Sequence, residues 1–94
     1  MPALDQQNIE QRLGEMPQWS LADGQITRTY TAATFHRGIG FVTQIAILAD
    51  VADHHPDIDI RYNSVRIALS THSEGGITEK DFALARQIDE AFAQ

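Results

Sequence analysis

The sequence predicts an α+β domain, a four-stranded antiparallel sheet with three helices packed on one face in the order α-β-β-α-β-β-α. Two stretches alternate apolar and polar residues on either side of a short turn, around Asp23-Gly24 and around Asn63-Ser64, as β-hairpins do. Three segments carry apolar residues at helical spacing, each behind a capping residue: Asp5, Thr34 or Thr78. No repeat, low-complexity tract or linker divides the 94 residues, so residues 1–94 form a single domain.

Each element has a local reason. Asp5 caps the first helix, Leu4 and Ile9 stand at the staple positions, and Gly14 with Pro17 ends it after Leu13. Trp19-Ser20-Leu21 and Ile26-Thr27-Arg28-Thr29-Tyr30 form the first hairpin around Asp23-Gly24. Thr34 caps a second helix running to about Asp53. Phe35, Ile39, Val42, Ile45, Ala46 and Ala49 recur along it, and Phe41 and Leu48 widen the stripe, which predicts the best-buried helix. Gly38 and Gly40 weaken it and permit close packing. Pro56 stops the pattern. Ile58, Ile60 and Tyr62 then alternate, Asn63-Ser64 turns, and Val65, Ile67, Leu69 and Thr71 share one face. Arg66, Ala68, Ser70 and His72 point to the other. Ser73-Glu74-Gly75-Gly76 reads as a loop. Thr78-Glu79-Lys80-Asp81 is a capping-box-like start to a third helix, whose buried side carries Leu84, Ile88 and Ala91.

Composition excludes several classes of function. The net charge is −6, the wrong sign for a nucleic-acid surface or an anionic membrane. The absence of cysteine removes disulfides, thiol nucleophiles and thiolate metal sites together. The N-terminus lacks a basic segment followed by an apolar run, and no apolar stretch approaches the length of a membrane helix. A cytoplasmic protein is the expectation. So small a domain buries a modest fraction of its surface, which favours association between copies.

The chemistry-bearing feature is the histidine distribution. Of four histidines, His54, His55 and His72 lie close in sequence, and imidazole both gives and takes a proton near neutral pH. Asp50 and His54 are four apart, so they share a face if the helix persists that far, and a carboxylate there orients an imidazole. Pro56 discourages helix at His55, so the two adjacent rings can take different roles. His72 stands at the end of the last strand, where functional groups collect. Other readings stay open at this point. The histidine pair could cap a helix C-terminus, and His54, His55, His72 and an aspartate could ligate a metal, although no HExxH or Cys/His spacing is present. Ser70 and Ser73 flank His72 without a nucleophile-elbow motif. His36, in the first turn of the second helix, reads as structural or exposed.

The series Asp50, His54-His55-Pro56, Tyr62, His72 and Asp81, at these spacings, resembles the signature of the pterin-4a-carbinolamine dehydratases. Asp57, Tyr62-Asn63-x-Val65, Leu69-Ser70-Thr71-His72 and Gly75-Gly76-x-Thr78-x-x-Asp81 extend the likeness, which runs from about Trp19 to Ile88. The resemblance implies a dehydratase that removes water from 4a-hydroxytetrahydropterin to leave a quinonoid dihydropterin, in recycling of the pterin used by aromatic amino acid hydroxylases. It implies His54 and His72 as the acid/base pair and Asp50 as an orienting carboxylate. His55, Pro56, Thr71, Ser73 and Glu74 would contact the pterin. It implies no metal and no organic cofactor, since the pterin is the substrate, and a homodimer or homotetramer. Asp50 stands where a longer Glu is common in animal members, and Ile58 where an aromatic residue is frequent. Asp81 also has a structural explanation as a helix N-terminal residue. The alternative on the same fold is a binding protein: a dimerisation cofactor for a transcription factor, an assembly chaperone, or a molybdopterin-associated protein.

Overall fold

Asp5, Thr34 and Thr78 each sit in extended backbone and accept a backbone N–H from the first turn of the helix that follows. In the computed structural model, which describes residues 2–94, those helices are α1 (Gln6–Gly14), α2 (Phe35–Ala52) and α3 (Glu79–Ala93). Between them run β1 (Ser20–Ala22), β2 (Gln25–Thr31), β3 (Asp57–Arg61) and β4 (Ser64–Leu69), followed by a single 3-10 turn at His72–Glu74. The predicted element order and fold class hold. All three strand pairs are antiparallel, and the order across the sheet is β1-β2-β4-β3. β2 therefore neighbours β4, a pairing made across α2.

The first hairpin turns where predicted. Asp23 and Gly24 both have positive φ, 53° and 75°, which gives the backbone twist that a two-residue hairpin loop needs. The second turn sits one residue earlier than expected. Ser64 pairs with Arg61, so the turn residues are Tyr62 and Asn63, and Tyr62 takes φ of 53°. The tip is fastened to the loop after β2: Asn63 Nδ2 donates to the Ala32 carbonyl, and the Ala32 N–H to the Asn63 carbonyl, both at 2.8 Å. Tyr62 thus stands exposed at the end of β4 remote from His72. The nine intervening residues, if extended, span roughly 30 Å.

The core lies between the inner sheet face and the helices. Ile26, Tyr30, Val65, Ile67 and Leu69 from the sheet meet Phe41, Ile45, Phe82, Leu84 and Ile88. Tyr30, Phe41 and Phe92 pack ring against ring at centroid distances of 4.8–5.1 Å. Gly38 lets α2 approach β3 closely, since a Cβ there would meet Ile60 Cδ1 at 3.3 Å. The expectation that α2 is the best-buried helix is corrected. Its buried line is Gly38, Phe41, Ile45 and Ala49, whereas Phe35, Ile39, Ile47 and Val51 form a second, exposed apolar line. α3 is the better-buried helix, with Phe82, Leu84, Ala85 and Ile88 nearly inaccessible. A helix with apolar residues on two sides has the same periodic signature whether or not both sides are covered.

α1 is clamped to the start of α3. Arg12 forms a two-pronged ion pair with Glu79 and lies 5.7 Å over the Phe82 ring. The hydrogen bond from Arg12, with its positive charge, holds the Glu79 carboxyl below its usual range. A carboxyl depressed in the folded state stabilises above its unfolded pKa, and that contribution fades as pH falls through its folded pKa. Urea midpoints of wild type and Glu79→Gln should therefore differ at neutral pH and converge in acid below the carboxylate range. A constant gap across that range contradicts the coupling.

Candidate active site

α2 ends with a left-handed residue, and that ending sets out the histidines. Asp53 takes φ 50° and ψ 46°, and its N–H reaches the Ala49 and Asp50 carbonyls, while the His54 N–H bonds the Ala49 carbonyl at 3.1 Å. The chain then leaves the helix direction before Pro56 and enters β3 at Asp57. Consequently the expected pairing of Asp50 with His54 does not form, because the helix does not persist through His54. Asp50 Oδ1 meets His55 Nε2 at 3.0 Å, in an open setting where both side chains are more than half exposed.

His54 turns inward to a different carboxylate. Its Nε2 lies 2.5 Å from Asp81 Oδ1, with the imidazole 10% exposed and Asp81 fully buried. The second Asp81 oxygen accepts from the Thr71 hydroxyl and the Thr78 N–H, each at 2.9 Å. Thr71 Oγ1 and Thr78 Oγ1 are 2.8 Å apart. Asp81 is thus both the third residue of α3, which closes its capping box, and the partner of His54. The sequence reading gave it only the first role. Its place in the His54-to-Asp81 spacing was the available signal.

His72 is exposed on the 3-10 turn, one residue beyond Thr71. Thr71 pairs with Gly76 in an isolated bridge that closes the turn. His72, Ser70, Thr71, Gly75 and Gly76 form one wall of a cavity of about 510 Å³. Asp23, Gly24, Gln25 and Asp57 form the other. Gln25 Nε2 donates to Asp57 Oδ2 at 3.1 Å. Gln25 stands outside the sequence reading, and Asp57 and Ser70 entered it without a shared place, because the three converge from β2, β3 and the residue after β4. They meet only because β2 and β3 flank β4, in a register that sets Ala68 between Thr27 and Asp57.

The structure therefore joins some of the predicted residues and separates others. His54 and His72 share the Thr71–Asp81 junction, His54 through Asp81 and His72 through the backbone next to Thr71. His55 and Asp50 form their own exposed pair. The Thr71 hydroxyl faces Asp81, so its side chain serves the interior. Ser73 and Glu74 lie exposed on the turn that carries His72, and Pro56 is half-buried beside the start of β3. Among the described residues no three His, Cys, Asp or Glu side chains converge to hold a metal ion.

The family model described as Pterin 4 alpha carbinolamine dehydratase matches residues 2–91. A Chloroflexus aurantiacus protein provisionally named a pterin-4-alpha-carbinolamine dehydratase is 57% identical over 90 residues, which cover 96% of this chain and 97% of that one. The crystal structure of a transcriptional coactivator/pterin dehydratase from Brucella melitensis superposes with a TM-score of 0.89 at 35% identity, covering 95% of this chain and 97% of that one. A pterin dehydratase-like RuBisCO assembly factor of the alpha-carboxysome shares the fold, with a TM-score of 0.64 at 19% identity over 78% of this chain and 84% of its own.

Proposed function

Because the chain belongs to the pterin-4a-carbinolamine dehydratase family, we propose that it dehydrates 4a-hydroxytetrahydropterin to the quinonoid dihydropterin, with His54 and His72 as its acid/base pair. The observation that carries this reading is the junction at Thr71 and Asp81, which ties a largely covered, carboxylate-held imidazole to a second imidazole on the cavity wall. Hydroxide is a poor leaving group, so an acid must protonate the departing oxygen while a base accepts a proton from the ring system. Imidazoles suit both tasks near neutral pH.

In this reading the pterin occupies the cavity of about 510 Å³, within the size range of small-molecule sites. His55, oriented by Asp50, borders the ligand together with Pro56, and the 3-10 turn with Ser73 and Glu74 supplies the opposite edge. No metal or organic cofactor takes part, and the reaction belongs to pterin recycling in the cytoplasm. Purified protein should speed the loss of 4a-hydroxypterin absorbance beyond the spontaneous rate. No acceleration at any protein concentration would contradict the reading.

A partner role draws support from α2. Its exposed line of Phe35, Ile39, Thr43, Ile47 and Val51 repeats every fourth residue and is self-complementary about Thr43. Two antiparallel copies would set Phe35 against Val51, Ile39 against Ile47 and His36 against Asp50. The homo-oligomer of this reading forms on that face. Ile47→Glu would place an unpaired carboxylate there, at a cost of several kcal/mol per interface. Sedimentation should show a smaller species than wild type, and an unchanged mass would contradict this interface. The second reading, a non-catalytic binding or assembly protein, uses the same exposed face and predicts no rate acceleration.

A further inference from the structure

The hydrogen bonds around Asp81 have a direction, and that direction determines which nitrogen of His54 carries a proton. The Lys80 N–H donates to Thr78 Oγ1 at 3.2 Å. The single hydroxyl proton of Thr71 is committed to Asp81 Oδ2, so Thr78 must supply the proton shared between the two hydroxyls. Asp81 Oδ2 also receives the Thr78 N–H. Both donors, at the N-terminal end of α3, require this carboxylate oxygen to accept. An ionised carboxylate offers only lone pairs, so at the 2.5 Å contact with Asp81 Oδ1 the proton belongs to His54 Nε2. The neutral ring then keeps its lone pair on Nδ1. Among the described residues no hydrogen bond reaches Nδ1 and no unpartnered side-chain nitrogen is sealed in the interior, so this atom keeps some exposure.

We propose that Thr78 and Thr71 form a one-way relay of hydroxyls that makes Asp81 the positioning residue for His54, fixing the imidazole proton on Nε2 and presenting Nδ1 to the substrate. The assignment of a substrate to Nδ1 rests on the dehydratase reading; the assignment of the proton does not. Asp81→Asn gives the sharpest test. The Thr71 hydroxyl and the Thr78 N–H both require an acceptor at the Oδ2 position, so the amide must place its carbonyl there and its NH₂ against His54 Nε2. That nitrogen must then accept, and the proton moves to Nδ1. The same geometry is kept while the lone pair leaves the working atom, a change that costs on the order of 10⁴-fold in kcat where a triad histidine is forced into the wrong tautomer.

Long-range proton–nitrogen NMR of ¹⁵N-histidine-labelled protein, at a pH where His54 is neutral, should report the Nε2–H form in wild type and the Nδ1–H form in D81N. The D81N protein should lose kcat with KM little changed. A wild-type Nδ1–H form, or an unchanged tautomer in folded D81N, overturns the proposal. Thr71 provides a second arm should D81N not fold. Thr71→Val should lower kcat about tenfold, the worth of one lost hydrogen bond to a charged group, and weaken the downfield Nε2–H resonance. Thr71→Ser should restore both. Equal kcat and equal resonances for Val, Ser and wild type also overturn it. If wild type shows no dehydratase activity, the functional reading falls while the NMR outcomes still decide the proton assignment.

Discussion

Replacing His54 and His72 together with alanine should return the loss of 4a-hydroxypterin to its spontaneous rate in folded protein. General acid and general base catalysis by a positioned side chain each contribute roughly 10²- to 10⁴-fold. Two groups acting on one reaction do not contribute additively, so each single variant should already lose most of the acceleration. The two sites differ in what else they disturb. His72 is exposed, so His72→Ala should leave stability almost unchanged. His54→Ala deprives the fully buried Asp81 of one partner while Thr71 and Thr78 still hold its other oxygen, so a measurable loss of stability should accompany the loss of rate. Urea denaturation beside the rate assay separates these effects. A double variant with wild-type kcat/KM would contradict the acid/base assignment.

The second large effect concerns stability. Asp89→Ala should destabilise the protein by about 3 kcal/mol. Asp89, on α3, accepts from Trp19 Nε1, from Arg28 at 2.7 Å and from the Tyr30 hydroxyl. Trp19 and Tyr30 are almost wholly buried, and Arg28 lies 4.2 Å over the Tyr30 ring. Burial, reinforced by the bond to Asp89, pushes the Tyr30 phenol far above its ordinary pKa, so it remains a neutral donor across the working pH range. Removing the carboxylate strands three donors at once, two of them out of reach of water. Asp89 itself is about a quarter exposed, which keeps the expected loss below that of a sealed ion pair. The lost contact joins the first hairpin to α3, at some remove from Asp81, so the protein that stays folded should keep its kcat. A urea midpoint within a few tenths of a kcal/mol of wild type would show that the knot is decorative.

The fold was legible because its signals are local. Caps at Asp5, Thr34 and Thr78, the Asp23-Gly24 turn and period-two alternation all act within a few residues. The one-residue error at the second turn has a physical origin. Tyr62 occupies a left-handed conformation that disfavours a bulky side chain, so Asn63-Ser64 looked like the better turn, and the registry of β4 against β2 overrides that local preference. The exposure of Phe35, Ile39, Ile47 and Val51 was illegible for another reason: periodicity identifies apolar faces but not what covers them.

The candidate site was legible in its residues and less so in its pairings. His54, His55 and His72 stood out by chemistry and spacing. Which carboxylate serves which imidazole depended on a single backbone event, the left-handed Asp53, which ends α2 and turns His54 towards α3. A four-residue spacing predicts contact only while the helix continues. The second cavity wall, with Gln25 and Asp57, depends on strand order, which local sequence does not carry.

A crystal structure with an unreactive dihydropterin addresses the central claim most directly, that one bicyclic ring is worked on by two imidazoles tied to Asp81 and Thr71. The ring should lie in the cavity beside His72, with its reacting edge within hydrogen-bond reach of His72 and of His54 Nδ1, directly or through one water. A pterin bound elsewhere, or one that His54 cannot reach from either copy in the assembly, would contradict it.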